Sequence, residues 1–290
     1  MQLFDRTLPF FKGNTHTHTK ISDGRCTPEE SIAFYKQHGY DFLVLTDHYK
    51  QSPERVEQGL LVLSGTEVDY TFPTQVVHMT AFGAARDIDL TAARKSPQDG
   101  IACIRAAGAR VILAHPAWSL NTLDMLRTLE GISALEIYNA VSTTPYNGDR
   151  ALSASFSDIA SCNGTILPVV CADDVHFYGE DLCHAWICVN ARENTREALL
   201  EAFDAGRFYG SLGPVIEQVT IEDNLLTVEC SSASKVVFYT NRPFVSGRCV
   251  SGENLRQAQY TIGAADRFVR IEVEDAQGRR AFVSPIALNA

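Results

Sequence analysis

The strongest constraint on the fold of this chain is a change of rhythm around residues 206–214. Before it, short apolar runs at 42–45, 60–63, 76–81, 111–113, 134–138, 166–170 and 186–189 alternate with helical patterns at 28–39, 96–107, 123–129, 151–162 and 195–205. Strand followed by helix, repeated about seven times, predicts right-handed parallel crossovers and a closed α/β barrel. After it, apolar and polar residues alternate in 219–222, 226–229, 236–239 and 268–273, separated by turn residues such as Asp223-Asn224 and Gln277-Gly278. Period two without a helical stretch predicts a small antiparallel all-β domain. The expected organisation is a barrel over 1–213 and a β domain over 214–290. The first helix carries its own punctuation, with Thr27 as N-cap, Pro28 at the first helical position and Gly39 at its end.

Composition narrows the class of partner. A net charge of −10 gives no broad basic footprint, so long nucleic acid is disfavoured as a ligand. The sequence shows neither a signal-type apolar stretch at its start nor an apolar run of about 18 residues, so a cytoplasmic protein without a membrane span is expected. The eight cysteines are scattered, form no Cys-x-x-Cys pair, and read as free thiols.

The polar residues near the ends of the apolar runs carry the chemistry. In chain order they are His16 and His18 in Thr15-His16-Thr17-His18, Asp23 in Ser22-Asp23-Gly24, His48 in Thr46-Asp47-His48, Glu67 in Gly65-Thr66-Glu67, His78, His115 before Pro116, and Asp174 with His176 in Asp173-Asp174-Val175-His176. Neutral imidazole and carboxylate are the usual ligands of zinc, manganese and iron. The carboxyl ends of parallel barrel strands meet on one face, so groups distant in sequence converge there. Nine ligand-type side chains exceed the needs of one ion, which predicts two or three divalent metals. Three carboxylates against three divalent ions leave a net positive site that favours a phosphate dianion.

As a set, these pieces resemble the PHP family, the polymerase and histidinol phosphatase domain of metal-dependent phosphoesterases. The resemblance runs in family order over roughly residues 10–213 and includes Ser22-Asp23-Gly24 followed by Pro28-Glu29-Glu30. It implies a distorted (β/α)7 barrel and a trinuclear centre of manganese, iron or zinc. In that scheme His16, His18, Glu67 and Asp174 hold one metal. Glu67 bridges to a second with His78 and His115, while Asp23, His48 and His176 hold a third. Some members have histidine where Asp23 stands. Glu67, Asp174 and His176 are the residues to which catalysis is assigned. The ending 279–286 resembles an appendage found on some bacterial relatives.

Other residues are placed with alternatives open. Glu136 and Asn139 match the family's Glu-x-x-Asn and are expected either as substrate or water contacts or as structural groups. Arg25, one residue after the Ser-Asp-Gly turn, is the best cation for phosphate recognition, followed by Lys20 and Lys50. Tyr70, Phe72, Trp118 and Tyr146 are candidate stacking surfaces or local core. Asp173 and Asp47 read as orienting or turn-forming carboxylates, His38 as a helix cap, and His184 as packed or orienting.

The expected function is hydrolysis of a small phosphate monoester by metal-activated hydroxide. By the resemblance, histidinol phosphate and nucleoside 3′,5′-bisphosphates belong to the substrate range. Two alternatives use the same centre: cleavage of short oligonucleotides from an end, as a phosphodiesterase or 5′–3′ exonuclease, and hydrolysis of a carbamate or amide. A non-catalytic scaffold fits least, since it gives no reason for nine ligand types at strand ends.

Overall fold

A computed structural model of the chain describes residues 1–288. The strands are β1 (Phe10–Asn14), β2 (Phe42–Val44), β3 (Arg55–Glu57), β4 (Leu60–Leu63), β5 (Gly65–Thr71), β6 (Val76–Phe82), β7 (Arg110–Leu113), β8 (Ala134–Asn139), β9 (Val169–Ala172), β10 (Trp186–Asn190) and β11 (Phe208–Ser211). The helices are α1 (Pro28–Gln37), α2 (Leu90–Ala93), α3 (Pro97–Ala106), α4 (Leu123–Arg127), α5 (Ala154–Cys162) and α6 (Arg196–Asp204). Five further strands follow without a helix: β12 (Ile216–Glu222), β13 (Leu225–Thr240), β14 (Cys249–Thr261), β15 (Phe268–Glu274) and β16 (Arg280–Ala287). The start of α1 has the local chemistry its sequence requires. Thr27 accepts from the Glu30 N–H, the Glu30 carboxylate accepts from the Thr27 N–H, and Pro28 stands at the first turn.

The protein is a mixed α/β fold built on two large sheets, and among the described residues neither closes into a (β/α)7 barrel. One sheet has eleven strands in the order β12-β13-β15-β16-β11-β10-β1-β2-β4-β3, with β14 also on β13; the other has five in the order β5-β6-β7-β8-β9. The departure from a barrel follows from the connections. Among the described strands, only β1–β2, β2–β4, β7–β8 and β8–β9 pair in parallel. Residues 65–71, not expected as a strand, form β5 and turn straight back into β6 through 72–75, leaving no room for a crossover helix. β1, β10 and β11 are likewise antiparallel neighbours. The two sheets nevertheless cover one apolar core, where Phe42, Val44, Leu63 and Ile187 meet Phe82, Ile112 and Val170 under Phe203 of α6.

Residues 216–287 form antiparallel strands, and their sheet is continuous with that of the first part through β16 on β11. The N-terminus also crosses over, with Phe4 buried with Ile216, Val219 and Phe238 in these strands' core and the Leu3 N–H donating to the Val219 carbonyl at 2.9 Å. The fully buried Arg270 on β15 forks onto Asp158 of α5 at 2.7 and 2.9 Å and reaches Glu272 at 2.6 Å, clamping that helix to the sheet. All eight cysteines are free thiols. Among the described residues no helix is long and apolar enough to cross a membrane.

Candidate metal centre

The nine residues singled out at strand ends meet at one end of the shared core. His16 and His18 follow β1, His48 follows β2, His115 follows β7, and Asp174 and His176 follow β9. Glu67 and His78 sit on the β5–β6 hairpin. His115 and Asp174 both have left-handed backbones, with φ of 31° and 53°, a conformation costing about 1–3 kcal/mol in a non-glycine residue and concentrated at functional sites. Asp23 is delivered by its neighbour: a Cβ on Gly24 would lie 2.3 Å from the His18 carbonyl oxygen and 2.7 Å from the Thr19 nitrogen. Only glycine allows the 22–24 turn to lie against the His18 backbone.

At the centre, one oxygen each of Glu67 and Asp174 lies close to the paired His16 and His18 rings. His16 Nε2 and His18 Nε2 are 3.1 Å apart, Glu67 Oε2 lies 3.3 and 3.0 Å from them, and Asp174 Oδ1 lies 3.1 and 3.2 Å from them. Neighbouring donors on an ion with ligands at about 2.0–2.1 Å and near-tetrahedral angles lie about 3.3 Å apart, close to these five distances. Asp174 Oδ1 is buried and has no hydrogen-bond partner. An orphaned carboxylate oxygen of this kind normally exacts a penalty, which a cation would remove. The donor set and its spacing therefore fit a divalent ion.

Two further clusters adjoin this one. His16, Glu67 and His115 form the first, with Glu67 Oε1 taking His78 Nδ1 at 2.8 Å. His18, Asp23, His48 and His176 form the second, nearer solvent, and Asp23 Oδ2 lies 3.4 Å from His176 Nε2 and 3.7 Å from His48 Nε2. The electrostatics are those of a cation site filled by protons. Burial opposes charge on His16 and His18, but Asp174 and Glu67 outweigh it, and both imidazoles hold protons well above the usual range. Glu67, despite full burial, is held well below the usual carboxylate range by His16 and His78.

Glu136 and Asn139 lie at the centre but are fully buried and turned inward. Glu136 Oε1 accepts from His16 Nδ1 at 2.7 Å, while Oε2 accepts from the His115 N–H and Asn139 Nδ2, both at 2.9 Å. Asn139 also reaches Asp174 Oδ2 at 3.2 Å. Their partners are ligand-type residues, which places the pair where they fix ring orientation. Arg25 is exposed at the rim with its guanidinium over the Phe177 ring at 4.7 Å. Lys20 pairs with Glu30, and Lys50 lies beside a separate hollow next to Pro53 and Arg55.

The remaining expectations separate cleanly. Asp47 accepts from Thr19 and Ser22 and shapes the loop carrying His18. Asp173, pushed up to about 7 by burial, accepts from the Tyr35 hydroxyl and the N–H groups of Cys183, His184 and Ala185, so it fixes the loop after β9. His38 Nδ1 bonds the Phe34 carbonyl at the end of α1. His184 is exposed, not packed. Trp118 and Tyr146 line the mouth, and Phe72 lines a neighbouring groove. Tyr70 belongs to the core, with its hydroxyl donating to Ala93 beneath α3.

Three neighbours of the site escaped sequence reasoning: Asp69, Ser119 and Phe177. Each had a short-range signal. Asp69 is two residues beyond Glu67 on a strand and so shares its face. Ser119 is one turn past His115 and meets its Nδ1 at 2.9 Å, and Phe177 follows His176 directly into the mouth. The mouth is a cavity of about 310 Å³ floored by the ligand-type residues and walled by Trp118, Val141, Tyr146 and Phe177.

No family model and no curated protein matches the chain. Its fold is matched by solved structures. A two-domain protein from Bacteroides vulgatus, described as containing a predicted PHP-like metal-dependent phosphoesterase, superimposes over 98% of this chain and 96% of its own, with TM-score 0.53 and 17% identity. An amidohydrolase from Chromobacterium violaceum, solved with sulfate and no metal, covers 58% of this chain and 89% of its own at TM-score 0.44 and 16% identity. A protein from Bifidobacterium adolescentis, assigned as a metal-dependent phosphoesterase, covers 58% and 88% at TM-score 0.42 and 18% identity. The first of these carries the family name read from the motifs and shares the two-part layout.

Proposed function

We propose that this chain is a PHP-type metal-dependent hydrolase that removes phosphate from small phosphate monoesters. The observation that carries the reading is the convergence of His16 Nε2, His18 Nε2, Glu67 Oε2 and Asp174 Oδ1, each carboxylate oxygen 3.0–3.3 Å from both imidazole nitrogens, at the floor of an open cavity. His16, His18, Glu67 and Asp174 would hold one ion, Glu67 with His78 and His115 a second, and Asp23, His48 and His176 a third. Manganese, iron and zinc all suit this donor set. Ions so held lower the pKa of water and neutralise charge on phosphoryl oxygens.

The chain's own residues supply the rest. Glu136 holds the proton on His16 Nδ1, which keeps the Nε2 lone pair turned into the centre. Ser119 does the same for His115. Asp23 and His176 reach the solvent side of the cluster, where they would meet an incoming ester. Arg25 stands at the rim as a cation for the substrate's anionic group. A volume of about 310 Å³ is of the size that takes a small molecule.

The test is phosphate release by manganese-loaded protein across nucleoside bisphosphates, nucleoside monophosphates, histidinol phosphate and sugar phosphates, with His16→Ala as control. Turnover of one class, lost in the control, is the expected result. Silence across the panel in protein with bound metal would overturn the monoesterase reading and turn the search to phosphodiester ends and carbamates or amides.

A further inference from the structure

Three histidines of the centre share one orientation, whereas His78 turns its Nδ1 to Glu67. His16, His115 and His176 point Nε2 at the carboxylates of the cluster and give Nδ1 to an acceptor: Glu136 Oε1 at 2.7 Å, Ser119 Oγ at 2.9 Å and the Asp174 carbonyl at 2.8 Å. His48 points Nε2 at Asp23 in the same way. Its Nδ1 is buried and forms no well-aligned hydrogen bond, and two carboxylate oxygens come within reach of it. Glu67 Oε2, at 3.4 Å, belongs to the donor set around His16 Nε2 and His18 Nε2. Asp69 Oδ1, at 3.2 Å, has no part in that set.

Resting on the metal-centre reading above, we propose that Asp69 is the positioning residue for His48, holding its Nδ1–H so that the Nε2 lone pair faces Asp23 and His176. The backbone secures this pairing. The His48–Tyr49 segment is stapled to the Glu67–Asp69 segment by an isolated parallel bridge, by the Tyr49 N–H to the Glu67 carbonyl at 2.8 Å, and by the Tyr49 hydroxyl, which donates to the Asp69 carbonyl at 2.5 Å and accepts from its N–H at 3.1 Å. Arg94 lies over the Tyr49 ring at 3.6 Å and holds that side chain in place. Asp69 is about one-third exposed, so its carboxylate can be changed without opening the core.

The experiment uses the full chain, stripped of metal, as wild type, Asp69→Ala and Asp69→Asn. Each is titrated with manganese and with zinc, the equivalents retained after gel filtration are counted by elemental analysis, and the His48 tautomer is read by long-range proton–nitrogen NMR. Asp69→Ala is expected to bind one equivalent about 10- to 100-fold more weakly and to lose the Nδ1–H preference of His48. Asp69→Asn, which keeps an oxygen at the same place, is expected to restore most of both. Wild-type affinity and tautomer in Asp69→Ala would overturn the proposal. So would an Asp69→Asn protein as impaired as Asp69→Ala, which would make the carboxylate itself a ligand. Should Asp69→Ala not fold, the tautomer in Asp69→Asn decides alone. Both readouts need no substrate, so failure of the phosphatase test leaves them standing.

Discussion

Replacing Glu136 by glutamine tests the centre with almost no change of volume. Three donors converge on this carboxylate: His16 Nδ1 on one oxygen, and the His115 N–H with Asn139 Nδ2 on the other. A glutamine has one oxygen. The backbone N–H of His115 cannot turn, so the amide oxygen stays with it and the amide NH₂ faces His16. His16 must then accept at Nδ1 and carry its proton on Nε2, the atom that faces Glu67 and Asp174 at 3.3 and 3.1 Å. Holding a metal requires the opposite tautomer and leaves two donors opposed. The loss of a hydrogen bond to a buried charged group is about 1.5–3 kcal/mol, and at 1.4 kcal/mol per tenfold this is about 10- to 150-fold in metal affinity. Competition with a chelator of known affinity, followed by calorimetry, measures it. An Glu136→Gln protein that binds metal within about threefold of wild type, or that keeps the proton on His16 Nδ1, would refute the reasoning.

Further outcomes follow from the same geometry. A histidine whose folded pKa is raised contributes stability fully below about 6.5 and loses it as pH rises through the folded value. His16, His18 and His176 are raised in this way, so the metal-free protein is expected to melt at lower temperature as pH rises past neutrality, while metal-loaded protein is spared; parallel melting curves would count against it. Metal binding near neutral pH is expected to release protons, visible as a dependence of the binding heat on buffer ionisation enthalpy. Gly24→Ala is expected to displace Asp23 and weaken the solvent-side ion about tenfold or more while sparing the buried cluster, since its Cβ would collide with backbone and not with a movable side chain. Elemental analysis separates the two. Asp158→Ala removes the forked partner of the buried Arg270 and is expected to cost about 3 kcal/mol in urea unfolding, with metal content unchanged.

What the sequence determined by itself is the set of features fixed by near neighbours. The cap of α1 is written within four residues, from Thr27 to Glu30. The period-two alternation after residue 214 made strands without helices. The residue types of the centre were legible because histidines and carboxylates at the ends of apolar runs have few other reasons to recur. The tertiary structure decided which groups face which. Whether the sheets closed depended on connections such as 72–75, where a tight hairpin replaced a crossover and kept the pairing antiparallel. Glu136 became the partner of His16 across 120 residues, a relation that no local pattern encodes. Asp69 meets His48 only because β5, unread as a strand, carries Glu67 and Asp69 on one face. Local propensity and residue chemistry act over a turn of chain. Orientation of a ring or a carboxylate in a buried centre is set by whichever distant donor the fold brings within about 3 Å.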